Sequence, residues 1–449
     1  MNVYSFQKRL IAIPLSLTLW LAGCGSSGSS ANTANPNAGN FTRTVFLGDS
    51  LTAGYQSGSL QDLSQVNGWA AVVAKQAGFN MTLPLVGAPG VPSVLELLHY
   101  GPPPTIVNAS GTSAGRDNPS VQATDLAVPG ALVYDVANTV PVAAPTTGQQ
   151  YITQLVLGYP GLSNGQALTQ AQFAINANPT TIFLWIGSND ALNADFSGMP
   201  SSCTPLATFT TQYQALIALL TTKTTAHLVI GNIPDVTAVP YMQPAAYILS
   251  LYSAGTGLPV STLGTLFGVS TGDLINQEGL GEISAILAGT QATPISDAGV
   301  LTVAEQATVK ATVASYNQVI AAAAASANAT LVDINSLFAS ITANGIAAGG
   351  VTGTTSFLGG MFSLDGIHPT NTGYATLANK FIDTMNASIG TAIPDANLTA
   401  IAATDPLWPP NISHMGSVTR FPMTMPSIPG IDDLYLPAIQ RQQSSLVTR

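Results

Sequence analysis

Charge is scarce in this 449-residue chain. Asp, Glu, Lys and Arg together make up 7% of it, far below the roughly 25% of an average soluble domain. Its surface must therefore be built from Ser, Thr, Asn, Gln, Ala and Gly. Basic residues are the scarcer half, 11 against 21 acidic, for a formal net charge of −10. No run of like charge occurs, so nucleic-acid binding has no electrostatic support. There are two cysteines, Cys24 and Cys203, too few for a thiolate zinc cluster. There are four histidines. The apolar stretch starting at Leu10 is shorter than the ~20 residues that a spanning helix needs. What the chain does have is apolar mass, 46% hydrophobic, enough to bury a sizeable core in one large domain or two to three smaller ones. No internal repeat is present.

The N-terminus reads MNVYSFQKRLIAIPLSLTLWLAGCGSSGSS. A positive start at Lys8 and Arg9 precedes the apolar segment, which is the pattern of a signal peptide rather than of an anchor. The ending Leu21-Ala22-Gly23-Cys24 resembles the lipobox of bacterial lipoproteins, in which the cysteine is lipidated and becomes the mature N-terminus. Residues 1–23 then read as a lipoprotein signal peptide, and 24–40 as a flexible Gly/Ser/Asn linker. An ordinary signal peptide that happens to contain a cysteine is the plainer alternative. Removing 1–23 takes away Lys8 and Arg9 and no acids, leaving 9 basic residues against 21 acidic, or −12. Cys203 would then be the remaining cysteine apart from Cys24, and it reads as a loop bystander. Gly25 is unlike the aspartate that retains a lipoprotein at an inner membrane, so the expected location is the cell envelope, lipid-anchored at an outer membrane or cell surface.

From residue 41 to 400 strands and helices alternate. Short continuous apolar runs at Thr44–Leu47, Thr181–Ile186, His227–Ile230 and Thr330–Ile334 read as strands of a parallel sheet covered on both faces. Helices are expected over Gly68–Gln76, Ala171–Asn176, Pro205–Thr222, Val303–Ala327 and Thr372–Ser388. The alternation predicts a three-layer α/β/α sandwich with a mostly parallel, flavodoxin-like central sheet. Two segments fall outside a minimal version. Residues 236–300 form an apolar, mostly helical insertion, either a lid or wall that receives an acyl chain or a structural extension. Residues 401–449 form a Pro-rich tail.

Four separated segments carry candidate chemistry. In FLGDSLTAGY, Gly48 breaks a buried strand and Ser50 follows at its exit, where a hydroxyl faces the ligand crevice of such a sheet; a serine there is also a common helix N-cap. DLAVPGALVYDV holds Gly130. LWIGSNDALNA holds Ser188, Asn189 and Asp190 at a predicted strand end. SLDGIHPTNTGY holds Asp365 and His368. A serine hydroxyl needs an adjacent base to act as a nucleophile, and histidine suits that task. His227 begins an apolar strand and reads as packed, His99 lies in a Pro-rich loop and His414 in the tail. His368 has an acid three residues before it and Pro369 after it, which disfavours the helical region and makes the segment a turn. The carboxylate could hold the ring, or could merely cap the following helix.

In this order the four blocks resemble those of the SGNH (GDSL) hydrolase family, over roughly Thr42 to Ser388 with the insertion excluded. GNIPD, Gly231–Asp235, resembles a less diagnostic fifth piece. The resemblance implies an esterase or acylhydrolase with Ser50 as nucleophile, His368 as general base and then acid, and Asp365 orienting it. It implies an oxyanion hole from the Ser50 and Gly130 backbone N–H groups and the Asn189 amide, with no metal or cofactor. Gly90 is a rival for Gly130, and Ser188 a weak rival for Ser50. Asp49 and Asp190 read as structural. Gly48-Asp49-Ser50-Leu51-Thr52 lacks the last glycine of the Gly-x-Ser-x-Gly elbow. The partner expected is a small-molecule, lipid or glycan ester, with the membrane reached through the N-terminal lipid and the oligomeric state open. A carbohydrate O-deacetylase with the same triad, and a non-catalytic surface-binding lipoprotein on a hydrolase scaffold, are the alternative functions.

Overall fold

The computed structural model describes residues 35–412, apart from 101–103 and 293. Cys24, His414, the signal-peptide segment and most of the expected tail lie outside the described residues. Four parallel strands, β1 (Thr44–Gly48), β2 (Thr181–Trp185), β3 (His227–Gly231) and β4 (Thr330–Val332), pair in the order β1-β2-β3-β4. Beyond β1, the segment around Asp125 adds a parallel bridge to Phe46, with Phe46 N–H donating to Thr124 O and Leu126 N–H to Phe46 O, both at 2.9 Å. The first strand thus lies inside the sheet, as in the expected flavodoxin-like order.

The strands are continuously apolar because each face meets its own helical layer. Phe46, Phe183, Trp185 and Val229 point to one side, where Trp69 and Phe381 stack with ring centroids 3.9 Å apart. Those two rings come from the helices Trp69–Ala77 and Asn371–Ile389. Val45, Leu47, Leu184 and Ile230 point to the other side, against Phe209 and Tyr316, which also stack at 3.9 Å. Phe209 and Tyr316 belong to the helices Leu206–Lys223 and Val303–Ser326. Each such buried side chain contributes about 1.5–3 kcal/mol. The longer helix begins at a capping box, in which Thr302 accepts from Glu305 N–H and the Glu305 carboxylate accepts from Thr302 N–H; this satisfies two donors that a helix start leaves open.

Residues 245–287 hold three helices, Ala245–Thr256, Val260–Phe267 and Gln277–Leu287. They close on a core of their own that includes Ile248, Leu263, Phe267 and Ile283. Three two-residue antiparallel strands, Gln243–Pro244, Leu274–Ile275 and Val300–Leu301, gather the ends of this unit. Several local expectations differ from what forms. His99 ends a strand, Leu95–His99, paired with Thr105–Asn108, rather than lying in a loop. The fourth strand stops at Val332, because Asp333 accepts from Ser336 N–H and starts a helix over Ile334–Asn344. The residues just after 400 are not irregular: Leu398–Ala402 is helical, Trp408 is buried, and Asp405 accepts from the N–H and the hydroxyl of Thr372, each at 2.8 Å.

Candidate active site

Ser50 leaves the C-terminal end of β1 at the crevice edge of the sheet. Gly48 makes that exit possible by its lack of a side chain: a Cβ there would lie 2.4 Å from Trp185 O and 2.5 Å from Thr52 Oγ1. The requirement is for space against β2 and the turn, not for an unusual backbone angle. Gln170 closes the strand end, accepting from Gly48 N–H and donating to Gly48 O, each at 3.1 Å.

His368 arrives from a turn 318 residues further on, with Nε2 at 2.8 Å from Ser50 Oγ. Its Nδ1 stands 2.9 Å from Asp365 Oδ2. An ionised carboxylate only accepts, so it fixes the ring proton on Nδ1 and leaves Nε2 to receive the hydroxyl proton. Asp365 is held from several sides. Oδ1 accepts from the N–H groups of Ile367 at 2.9 Å and His368 at 2.8 Å, and Oδ2 from Gly58 N–H at 2.7 Å. Ser363 Oγ adds a longer bond to Oδ1 at 3.3 Å. Burial alone would raise this carboxyl, but the His368 charge and the converging hydrogen bonds outweigh it and hold the group below the ordinary carboxylate value. The alternative reading of Asp365, a cap for the next helix, does not describe it: Thr370 is that N-cap and accepts from Gly373 N–H.

Asn189 sits in the first turn of the helix Ser188–Ser197, entered through Gly187 at φ 115°, a left-handed angle that glycine adopts without penalty. Its amide donates to Ala131 O at 3.0 Å, leaving the second N–H of the amide for a ligand. Gly130, at φ 78°, precedes that carbonyl. Val128 N–H in turn donates to Gly48 O at 3.1 Å, so the Gly130 segment is anchored to the end of β1. Asp190 ties the two loops together, accepting from Val133 N–H at 3.0 Å and from Thr204 Oγ1 at 2.7 Å. Asp49 accepts from Leu51 N–H at 3.0 Å. Burial raises both carboxyls to about 7, aided for Asp49 by the nearby Asp190 and for Asp190 by Asp135. Both aspartates thus hold loops in place.

The rivals fall elsewhere. Gly90 packs against Ser59 and Gln61, and Ser188 Oγ, though it lines the cleft, has no hydrogen-bond partner among the described residues. His227 is buried in β3 with Nε2 at 2.9 Å from Thr330 Oγ1, and burial lowers its pKa. Cys203 is buried and has no disulfide partner among the described residues, and burial pushes its thiol up to about 12, which leaves it an inert thiol. Two contributors went unnoticed in the sequence. The Tyr55 ring packs on the His368 imidazole with centroids 4.7 Å apart, and Ser363 links Ser57 N–H to the Asp365 turn. Tyr55 stands five residues after Ser50, so its nearness was available; its direction was not.

Ser50, Asn189 and His368 share one cleft of ≈ 50 Å³ whose remaining walls are largely apolar, among them Trp185, Leu192, Val239 and Phe338. A parallel α/β sandwich carrying this hydroxyl–imidazole–carboxylate chain at the crevice edge of its sheet has the architecture of a hydrolase acting on ester bonds. The chain belongs to the GDSL-like lipase/acylhydrolase family, whose sequence model matches residues 44–381. That family implies small-molecule ester substrates. A search among curated proteins returns no match.

Proposed function

We propose that this chain is a secreted, lipid-anchored serine esterase or acylhydrolase, in which Ser50 attacks the ester carbonyl carbon. His368 Nε2 takes the hydroxyl proton and returns it to the leaving alcohol oxygen as the C–O bond breaks. Water, deprotonated by the same nitrogen, then attacks the acyl-enzyme; the carboxylic acid leaves and Ser50 regains its proton. Asp365 keeps the imidazole in the required tautomer and stabilises its protonated form. The Ser50 and Gly130 backbone N–H groups and the Asn189 amide stabilise the oxyanion. The observation that carries this reading is the continuous chain from Ser50 Oγ through His368 to Asp365, with links of 2.8 and 2.9 Å.

The location rests on Leu21-Ala22-Gly23-Cys24 and the linker after it. Cys24 acylation would hold the enzyme at the cell envelope, and a Cys24→Ser variant should move it from the membrane fraction to the soluble one. The decisive test of the chemistry is covalent labelling by a fluorophosphonate, paired with p-nitrophenyl acetate hydrolysis. The wild-type chain should be labelled at Ser50 and Ser50→Ala should not, with kcat lower by about 10³-fold or more. A Ser50→Ala variant that hydrolyses the ester at the wild-type rate would sink the assignment.

A further inference from the structure

Each of the three donors assigned to the oxyanion is held from behind. The N–H of Ser50 shares its peptide plane with Asp49 O, which accepts from Ala53 N–H at 3.0 Å. The Asn189 amide is held by Ala131 O at 3.0 Å. The N–H of Gly130 shares its plane with Pro129 O, which accepts from Gln149 Nε2 at 2.8 Å. A trans peptide is planar, with C=O and N–H on opposite sides. Whatever grips the Pro129 carbonyl therefore aims the Gly130 N–H. The first two donors rest on backbone groups, and the third rests on one side chain.

Gln149 is placed to hold that plane firmly. It lies in the first turn of the helix Gly148–Leu157, capped by Thr147, and Ile152, Val156 and Leu157 bury that helix. Gln149 itself is buried. A buried amide costs free energy unless it is hydrogen-bonded. The bond that this one makes is to Pro129, and its Oε1 has no hydrogen-bond partner among the described residues. The proline ring fixes φ of Pro129 at about −65°, so one torsion is left to orient the peptide, and Gln149 sets it. Ala131 N–H donates to Val128 O at 3.1 Å and closes the turn. Among the described residues nothing accepts from Gly130 N–H, which leaves it open to a ligand.

We infer that Gln149 is a positioning residue for ester hydrolysis: through the Pro129 carbonyl, its amide aims the Gly130 N–H at the oxyanion that forms when Ser50 attacks. This inference rests on the ester-hydrolase reading of Ser50 and adds a residue outside both the triad and the three donors. The dependence is differential. Negative charge builds on the carbonyl oxygen in the transition state and not in the bound ester. A Gly130 N–H released from its plane thus leaves substrate binding intact and stabilises that charge less, so the loss falls on kcat and not on KM.

The test uses the full-length chain and p-nitrophenyl acetate. Gln149→Met keeps an unbranched side chain of similar length and removes the donor. It should lower kcat by about tenfold or more with KM within about twofold of the wild type, approaching the roughly 10²–10³-fold cost of deleting an oxyanion donor. Phenylboronic acid adds to a serine hydroxyl and carries tetrahedral oxygens where the oxyanion stands. Its affinity should fall by the same factor as kcat/KM. Gln149→Glu supplies a donor only while its carboxyl is protonated. Burial raises such a carboxyl, so kcat relative to the wild type at the same pH should fall from about pH 6 to 9, with circular dichroism unchanged. A loss under tenfold in Gln149→Met, or one that lies in KM while phenylboronic acid still binds as to the wild type, overturns the role of Gln149. Ser50 then remains the nucleophile, as its fluorophosphonate label shows. If Gln149→Met does not fold, the Gln149→Glu ratio decides: a falling ratio supports the inference, and a flat one overturns it. A wild type with neither ester hydrolysis nor fluorophosphonate label removes the esterase reading itself, and the inference falls with it.

Discussion

Asp365, in the turn ahead of the helix Asn371–Ile389, and Asp190, in the first turn of the helix Ser188–Ser197, are buried to the same degree, each at 0% exposure, yet they titrate in opposite directions. Burial pushes both upward. Asp365 receives three backbone N–H groups, a hydroxyl and an imidazole that becomes cationic in the cycle. Asp190 receives one backbone N–H and one hydroxyl and has acidic neighbours in Asp49 and Asp135. The number of donors and the sign of the neighbours decide the outcome when desolvation is equal. The chemistry follows. The carboxyl that stays ionised can stabilise an imidazolium; the one that rises to about 7 serves as a strut.

The largest expected effect comes from breaking the ionised member. Asp365→Asn places an amide N–H or a neutral oxygen against Nδ1, favours the wrong ring tautomer, and should lower kcat on a p-nitrophenyl ester by about 10³–10⁴-fold. A loss under tenfold, with the fold intact by circular dichroism, would remove Asp365 from the mechanism. Next comes the group that the other loop holds in place. Asn189→Ala deletes the side-chain donor and should cost about 10²–10³-fold in kcat. It should do so with little change in KM, because an oxyanion donor acts on the transition state. If KM rises while kcat is kept, Asn189 binds substrate and not the oxyanion.

The sheet and the His368 turn were legible in the sequence for a physical reason. Strands covered on both faces are continuously apolar, so runs such as Thr181–Trp185 stand out, and the glycines and prolines that end them mark the crevice edge. The Ser50 and Asn189 blocks stand at such ends, which a parallel sheet brings to one side; the His368 turn precedes the helix Asn371–Ile389 and is joined to them by the resemblance of the blocks to one family. What stayed hidden depends on contacts between distant segments. The hairpin Leu95–His99 with Thr105–Asn108 is masked by the prolines of its connection, and the strand-to-helix switch at Asp333 is set by a cap inside one apolar run. A groove of ≈ 670 Å³ beside the insertion draws its walls from Tyr100 to Leu358, and no local pattern announces it.

The smallest effect sharpens the contrast through stability. Asp190 and Asp49 rise in the folded state from 3.8 to about 7. Between about pH 4 and 7 the folded chain therefore keeps protons that the unfolded chain has released, and stability falls as pH rises through that window, levelling above it. Buried Asp195, whose carboxyl oxygens have no hydrogen-bond partner among the described residues, and Asp125, raised to about 8, add to the same slope. Asp365 has the opposite sign: its contribution is complete above the unfolded carboxyl value and is lost only as pH drops through its lowered folded value. The urea midpoint should accordingly be lower at pH 8 than at pH 5. Asp190→Asn should narrow that gap, since its amide oxygen can accept from Val133 N–H and its N–H₂ can donate to the Thr204 hydroxyl, which rotates to receive it. The gain at pH 8 should be on the order of 1 kcal/mol or more, given that a tenfold change in proton affinity is worth about 1.4 kcal/mol, and the effect on kcat should stay under tenfold. A midpoint that rises from pH 5 to pH 8 would mean that Asp190 and Asp49 are ionised in the folded chain, and that the two loops at Ser50 do not differ in the way their donors imply.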